Sequence, residues 1–270
     1  RLVALIKSFP GTKFSCLIDN IETATSVSNL FGEAGLKIDV YMDVNIGMNR
    51  SGIITDKATT LFKAAASLSN IKIIGLHCYD GHIRETNISS RNAQADAAFE
   101  NADQLRKNIE ASTSSKLELI VAGSCSFSAH IKRKDVQVSP GTFVFWDWGY
   151  NNLFPDLPFE FAALVVTRII SIIDEHTLCT DLGHKAVAAE NPMPRVHFLN
   201  APNAEPIGQS EEHLVVKVQD ASKYKVGDVW YGVPVHICPT VALYDNALIV
   251  NNNKVVDEWE VVARKRKITI

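Results

Sequence analysis

Four short and nearly unbroken apolar runs occur in the first half of the chain, and each of the first three is followed by a stretch that reads as a helix. Residues 14–19 form the first run, and Asn20 is placed to cap a helix that extends to about Ala34 and Gly35. Residues 38–44 form the second, followed by a loop through Gly47, Arg50 and Gly52 and a helix over 56–68. The third run is 73–79, with its helix over 87–111, and the fourth is 117–123; residues 136–139 allow a fifth strand. Ahead of all of them, residues 1–9 read as the tail of a helix, with Leu2, Leu5, Ile6 and Phe9 on one face and Pro10-Gly11 ending it. Strands that are apolar throughout and alternate with helices predict a covered parallel sheet, hence a doubly wound fold or a (β/α)8 barrel.

Beyond Pro140-Gly141 the helical period gives way to short β-type runs at 142–146, 161–173, 177–181, 214–218, 229–231, 247–250 and 258–263. Glycines and the Asn251-Asn252-Asn253 turn punctuate them. We therefore expect two domains, a barrel-type one over 1–150 and a β-rich one over 151–270.

Composition narrows the classes of function. A formal charge of −3, with Lys and Arg dispersed except in Arg264-Lys265-Arg266-Lys267, offers no basic face for nucleic acid. No apolar run approaches the ~20 residues of a membrane span, and the first residues lack a signal-peptide pattern, so the expectation is a cytoplasmic protein with no membrane partner. Cys16, Cys78, Cys125, Cys179 and Cys238 are odd in number and widely spaced, which suits free thiols.

The most specific chemical signal is His236-Ile237-Cys238-Pro239. In an extended chain, side chains two residues apart share a side, and their Cα atoms lie ~6.6 Å apart. Imidazole and thiolate are the donors Zn²⁺ favours, so His236 and Cys238 form a candidate metal clip. The plainer alternative is a half-buried strand end that happens to carry one His and one Cys.

Seven ordered motifs give that pair a context. They are Asp43-Val44-Asn45-Ile46-Gly47-Met48-Asn49-Arg50-Ser51-Gly52, Gly75-Leu76-His77-Cys78-Tyr79-Asp80-Gly81-His82, Ala122-Gly123-Ser124, Ser139-Pro140-Gly141-Thr142-Phe143-Val144-Phe145, Asp181-Leu182-Gly183-His184-Lys185, Ser210-Glu211-Glu212-His213 and His236-Ile237-Cys238-Pro239-Thr240. Together they resemble the D-threonine aldolase and D-serine dehydratase family across nearly the whole chain. The resemblance implies a fold-type III pyridoxal-phosphate enzyme: an alanine-racemase-like (β/α)8 barrel, a C-terminal β-domain, Zn²⁺ or another divalent cation beside the cofactor, and a homodimer.

Carried over by position, Arg50 matches the arginine near the pyridine nitrogen, where a permanent guanidinium charge would keep that nitrogen unprotonated. Tyr79 matches the tyrosine at the cofactor face, a candidate for proton transfer. Gly123, Ser124 and Ser126 match the loop that holds the cofactor phosphate, with Ala122 where the family usually has a second glycine. His77 stands where relatives often carry glutamine and is a secondary cofactor-side candidate. His82, His130, His176 and His197 show no pairing in the sequence and are read as structural. Asp181, Lys185 and Glu211 to His213 are read as structural or dimer-contact elements.

One family feature is missing. The Schiff-base lysine motif at the end of the first barrel strand has no counterpart, since Lys7 and Lys13 stand in the wrong context. With about four barrel strands before Pro140, the expectation is a fragment that lacks the opening strands and is inactive by itself. For the intact protein, the resemblance implies a lyase acting on a β-hydroxy D-amino acid, by retro-aldol cleavage or by dehydration. A pyridoxal-phosphate racemase and a non-catalytic binding protein are the alternatives.

Overall fold

In the computed structural model, which describes residues 1–113 and 115–265, the chain divides between Gly141 and Thr142 into two units. Arg266 and Lys267 of the terminal basic run lie outside the described residues. The first unit opens with helix α1 (Leu2–Ser8), followed by β1 (Ser15–Ile18), α2 (Ile21–Glu33), β2 (Ile38–Asn45), the two-residue β3 (Ile53–Ile54) and α3 (Thr55–Ala66). It continues through β4 (Ile71–Cys78), α4 (Ile88–Thr113), β5 (Glu118–Val121), α5 (Phe127–His130) and β6 (Gln137–Val138). Asn20 caps α2 as expected, its side chain accepting the Thr23 N–H at 2.7 Å.

These strands form one parallel sheet in the order β1-β2-β4-β5-β6, with β3 added beside β2. Helices α2, α3 and α4 pack against one another in sequence. They bury Ala24, Ser28 and Phe31 from α2, Ala58, Leu61, Phe62 and Ala65 from α3, and an alanine-rich stripe from α4. A row of neighbouring helices on one face is what a barrel requires, whereas a doubly wound sheet places them on both. On β2, Val40, Met42 and Val44 are buried, while Tyr41 and Asp43 face the other way. Register sets Asp43 beside His77 and Gly75 beside Glu118, so Tyr41, Asp43, His77 and Glu118 line the side that a barrel turns toward its interior.

The second unit begins with a 3-10 turn at Thr142–Val144 and helix α6 (Trp148–Leu153). The strand expected at 142–146 does not form. Trp146 is fully buried with a positive φ of 53°, packed against Tyr150 and Phe159, so the apolar run serves an aromatic turn instead of a sheet. The unit continues with β7 (Val165–Asp174), β8 (Thr177–Thr180), β9 (Val196–Phe198), β10 (Glu205–Gln209), β11 (Leu214–Lys217), β12 (Val229–Pro234), helix α7 (Ile237–Val241), and the hairpin of β13 (Asn246–Asn251) and β14 (Lys254–Glu260).

Strands β7 to β12 make an antiparallel sheet in the order β10-β11-β8-β7-β12-β9. Its core holds Ile169, Leu178, Leu182, Val187, Phe198, Leu214, Val216 and Trp230. Strands β9 and β10, and helices α6 and α7, are structure that the sequence pattern did not predict. All five cysteines are free thiols. Among the described residues, no helix is long and apolar enough to cross a membrane.

Candidate active site

In the first unit, the candidates gather at the C-terminal ends of β2, β4 and β5. Arg50 leaves the loop after β2 and lays its guanidinium carbon 4.5 Å from the centre of the Tyr79 ring. Burial pushes the Tyr79 phenol up, and Arg50 works against that shift through its charge and a hydrogen bond. The ring fits because two neighbours lack side chains. A Cβ on Gly81 would lie 2.4 Å from the Tyr79 Oη, and one on Gly123 2.7 Å from its Cε2.

His77 does not stand alone. Its Nδ1 lies 2.7 Å from Asp43 Oδ1, and Ser51 Oγ donates to the other carboxylate oxygen at 2.9 Å. The pair leaves Nε2 as the remaining ring nitrogen.

Gly123, Ser124 and Ser126 form a tight turn at the end of β5 that leads into α5. Ser126 N–H and Phe127 N–H both donate to Gly123 C=O. Two of the turn's donors face inward: Gly123 N–H and Ser126 Oγ both donate to Asp80 Oδ1, at 3.2 and 2.6 Å. Ser124 Oγ accepts the Gly141 N–H at 3.1 Å.

In the second unit, the expected geometry of the metal clip needs correction. Strand β12 ends at Pro234; His236 is the N-cap of α7, and Cys238 lies in that helix's first turn. A proline so close to the start of a helix is tolerated because its missing N–H had no helical partner to lose. The start is fixed by Asp147, whose Oδ1 accepts the Tyr150 N–H at the head of α6 and whose Oδ2 accepts the Ile237 N–H at 3.0 Å. One fully buried carboxylate thus caps two helices. Thr240 Oγ1 closes the turn by donating to His236 C=O at 2.8 Å.

Imidazole and thiol still lie close enough for each to shift the other's titration. Glu190 Oε1 sits 2.6 Å from His236 Nδ1, which orients the ring and leaves Nε2 as its remaining nitrogen. Cys238, and after it Glu190, push His236 up to about 9. His236 in turn holds Cys238 below the usual thiol range, and Thr142 Oγ1 lies 3.5 Å from the sulfur. Among the described residues, no three His, Cys, Asp or Glu side chains converge as a ready-made metal cage. The donor set nonetheless fits a divalent cation of the zinc type: one imidazole nitrogen braced by a carboxylate and one sulfur with thiolate character.

Reading the sequence alone missed Asp43, Asp80, Asp147 and Glu190. Asp43 and Asp80 lie inside motifs already noted, beside His77 and Tyr79. Asp147 carries the local signal of a cap three residues ahead of Tyr150, but its bond to Ile237 spans 90 residues, and the partner of Glu190 is 46 residues away, so neither shows the site in the sequence. Of the histidines read as structural, His130 is 1% exposed and faces Asp80, His176 holds Gln219 C=O, and His197 stacks on Trp148.

Two family descriptions match the chain: "Alanine racemase, N-terminal domain" over residues 5–147 and "Putative serine dehydratase domain" over 162–250. The D-threonine aldolase of an Arthrobacter species is 27% identical over 93% of this chain and 68% of its own length. The 3-hydroxy-D-aspartate aldolase of Paracoccus denitrificans is 25% identical over 98% and 70%. Among solved structures, the D-threonine aldolase of Filomicrobium marinum superimposes with a TM-score of 0.88 at 26% identity, covering 97% of this chain and 72% of that one. With the parallel α/β region matched over more than half of its residues, the chain belongs to the alanine racemase N-terminal-domain family, in the group that contains D-threonine aldolase and D-serine dehydratase.

Proposed function

We propose that the protein carrying this chain is a pyridoxal-phosphate- and divalent-metal-dependent lyase acting on a β-hydroxy D-amino acid. The relatives of this chain include D-threonine aldolase, 3-hydroxy-D-aspartate aldolase and D-serine dehydratase. Their shared substrate feature is a hydroxyl on the carbon next to the amino-bearing one. Bound pyridoxal phosphate supplies a sink for the electrons left at Cα, and a divalent cation supplies Lewis-acid pull at the β-oxygen.

The chain's own residues take distinct parts in this reading. Arg50 would hold the pyridine-nitrogen side of the cofactor and, always charged, would disfavour a proton there. Tyr79 holds or moves a proton at Oη under the control of Arg50. The Gly123, Ser124 and Ser126 turn receives the phosphate. His236 Nε2 and Cys238 Sγ hold the cation, and Glu190 keeps the imidazole in the tautomer that binds it. A cytoplasmic homodimer belongs to the same proposal.

The observation that carries the metal-dependent reading is the Glu190, His236, Cys238 array, for which a racemase has no use. The test is product analysis with the full-length protein, before and after chelation. D-Threonine should yield glycine and an aldehyde, or D-serine and 3-hydroxy-D-aspartate a keto acid and ammonia. Either activity should vanish with chelator and return with Zn²⁺. Amino-acid racemization that survives chelation would overturn the proposal.

A further inference from the structure

We infer that Asp80 is the positioning residue of the turn over 122–127 and sets how tightly that turn holds a phosphate. The inference rests on the proposed reading of this turn as the phosphate holder. It starts from strain: Ala122 is 1% exposed and adopts φ 67°, a left-handed conformation that is unfavourable for a non-glycine residue. Such a backbone persists only where its surroundings over-determine it. Asp80 supplies that constraint, since a single oxygen accepts the N–H of Gly123 and the hydroxyl of Ser126, the two ends of the turn's first bend.

The carboxylate is itself anchored. It is 1% exposed, and its Oδ2 lies 3.6 Å from His130 Nε2, a buried nitrogen that makes no hydrogen bond. Arg133 Nε donates to His130 Nδ1 at 3.1 Å, so the ring's proton is on Nε2, toward Asp80. Arg133 in turn pairs with Asp96 and lies over Phe99, both on α4. The bonds from Asp80 itself join the end of β4 to the turn, and His130 packs beside it on α5. Asp80 also follows Tyr79, whose ring lies against Gly123, so one pair of adjacent residues fixes both the ring and the turn.

The chemistry defines what Asp80 does. A carboxylate touching a phosphate would repel it, and the donors it holds are turned inward. Asp80 therefore acts through the turn by fixing where its other donors point, without contacting the anion.

The test compares pyridoxal phosphate with pyridoxal, which lacks the phosphate, in equilibrium titrations of the full-length protein. Native protein should strongly prefer the phosphorylated form. Asp80→Ala should cut that preference by about tenfold or more while leaving pyridoxal affinity within about threefold, as expected for losing hydrogen bonds to a charged group. Ser126→Ala should cut it less, and the double variant should be no worse than Asp80→Ala, because both act through one contact. Should Asp80→Ala not fold, Ser126→Ala decides the matter, and an unchanged preference overturns the inference. Unchanged preference in Asp80→Ala, or full additivity in the double variant, overturns it while the lyase reading stands. Native protein with no preference for the phosphorylated form overturns both.

Discussion

The guanidinium of Arg50 lies over the ring of Tyr79 at 4.5 Å, although the two residues come from different strand ends. Burial raises the Tyr79 phenol, whereas Arg50 favours its anionic form. Replacing Arg50 with Ala removes the lowering influence, so Tyr79 should titrate at still higher pH. The measurement is absorbance near the phenolate band across alkaline pH, with Tyr79→Phe identifying the signal. A shift downward in Arg50→Ala would show that the stacked charge does not govern the phenol.

Glu190 holds His236 as carboxylates hold metal-bound imidazoles in general, and removing such an outer partner costs 10- to 100-fold in affinity. Glu190→Ala in the full-length protein should lower zinc affinity by about that factor, while His236→Ala and Cys238→Ala should each abolish stoichiometric binding. Competition against a chromogenic chelator gives the three constants. Zinc affinity in Glu190→Ala equal to that of the native protein would remove Glu190 from the site.

How far these features could be read from sequence depended on whether their causes were local. The strand-helix alternation was legible because β2 and β4 are rich in Ile, Val, Leu and Met and largely buried, and because α2 and α3 bury residues at helical spacing. Asn20 was legible because a cap acts three residues away. The choice between barrel and doubly wound sheet was not legible in the hydrophobic pattern, since it turns on which face each helix covers, and came only from the motif resemblance. The His236 to Cys238 segment was misread as a strand because the apolar run leading into it is β12, and nothing nearby announces that Asp147 will cap a helix there. The identity of the two ligand residues survived that error, since His236 is the N-cap and keeps an extended backbone (φ −138°, ψ 106°), so its side chain is not bound to the helical period that would turn positions i and i+2 apart. The carboxylates at Asp43, Asp80 and Glu190 became visible only once folding had set them beside their histidines.

Ala122 offers a test of backbone strain that leaves the site's side chains intact. With Ala122 at φ 67°, Ala122→Gly should relieve the left-handed penalty, partly offset by the larger entropy glycine loses on folding. The expected net gain is about 1 kcal/mol, read as a higher denaturant midpoint at unchanged slope. A loss of stability would mean that the turn's neighbours pack against the Ala122 methyl more than its backbone resists it.

On the interior-facing side of the parallel sheet, Tyr41 Oη donates to Glu118 Oε2 at 2.5 Å, and Gln137 Nε2 donates to the same oxygen at 2.9 Å. Burial first, then the hydrogen bond and charge of Glu118, push Tyr41 up to about 12 from an ordinary value of 10. Because the folded-state value is the higher one, the fold favours the protonated phenol. The contribution is complete below pH 10 and is lost as pH rises through about 12. Native stability should therefore decline across that window, by an amount on the order of 2 kcal/mol from this group. Tyr41→Phe should be less stable at neutral pH, having lost the hydrogen bond, yet show a shallower alkaline decline. The difference between the two proteins' urea-unfolding curves at pH 8 and near pH 11 isolates the effect. Parallel declines would place the alkaline sensitivity elsewhere in the chain and leave the Tyr41–Glu118 contact without a role in it.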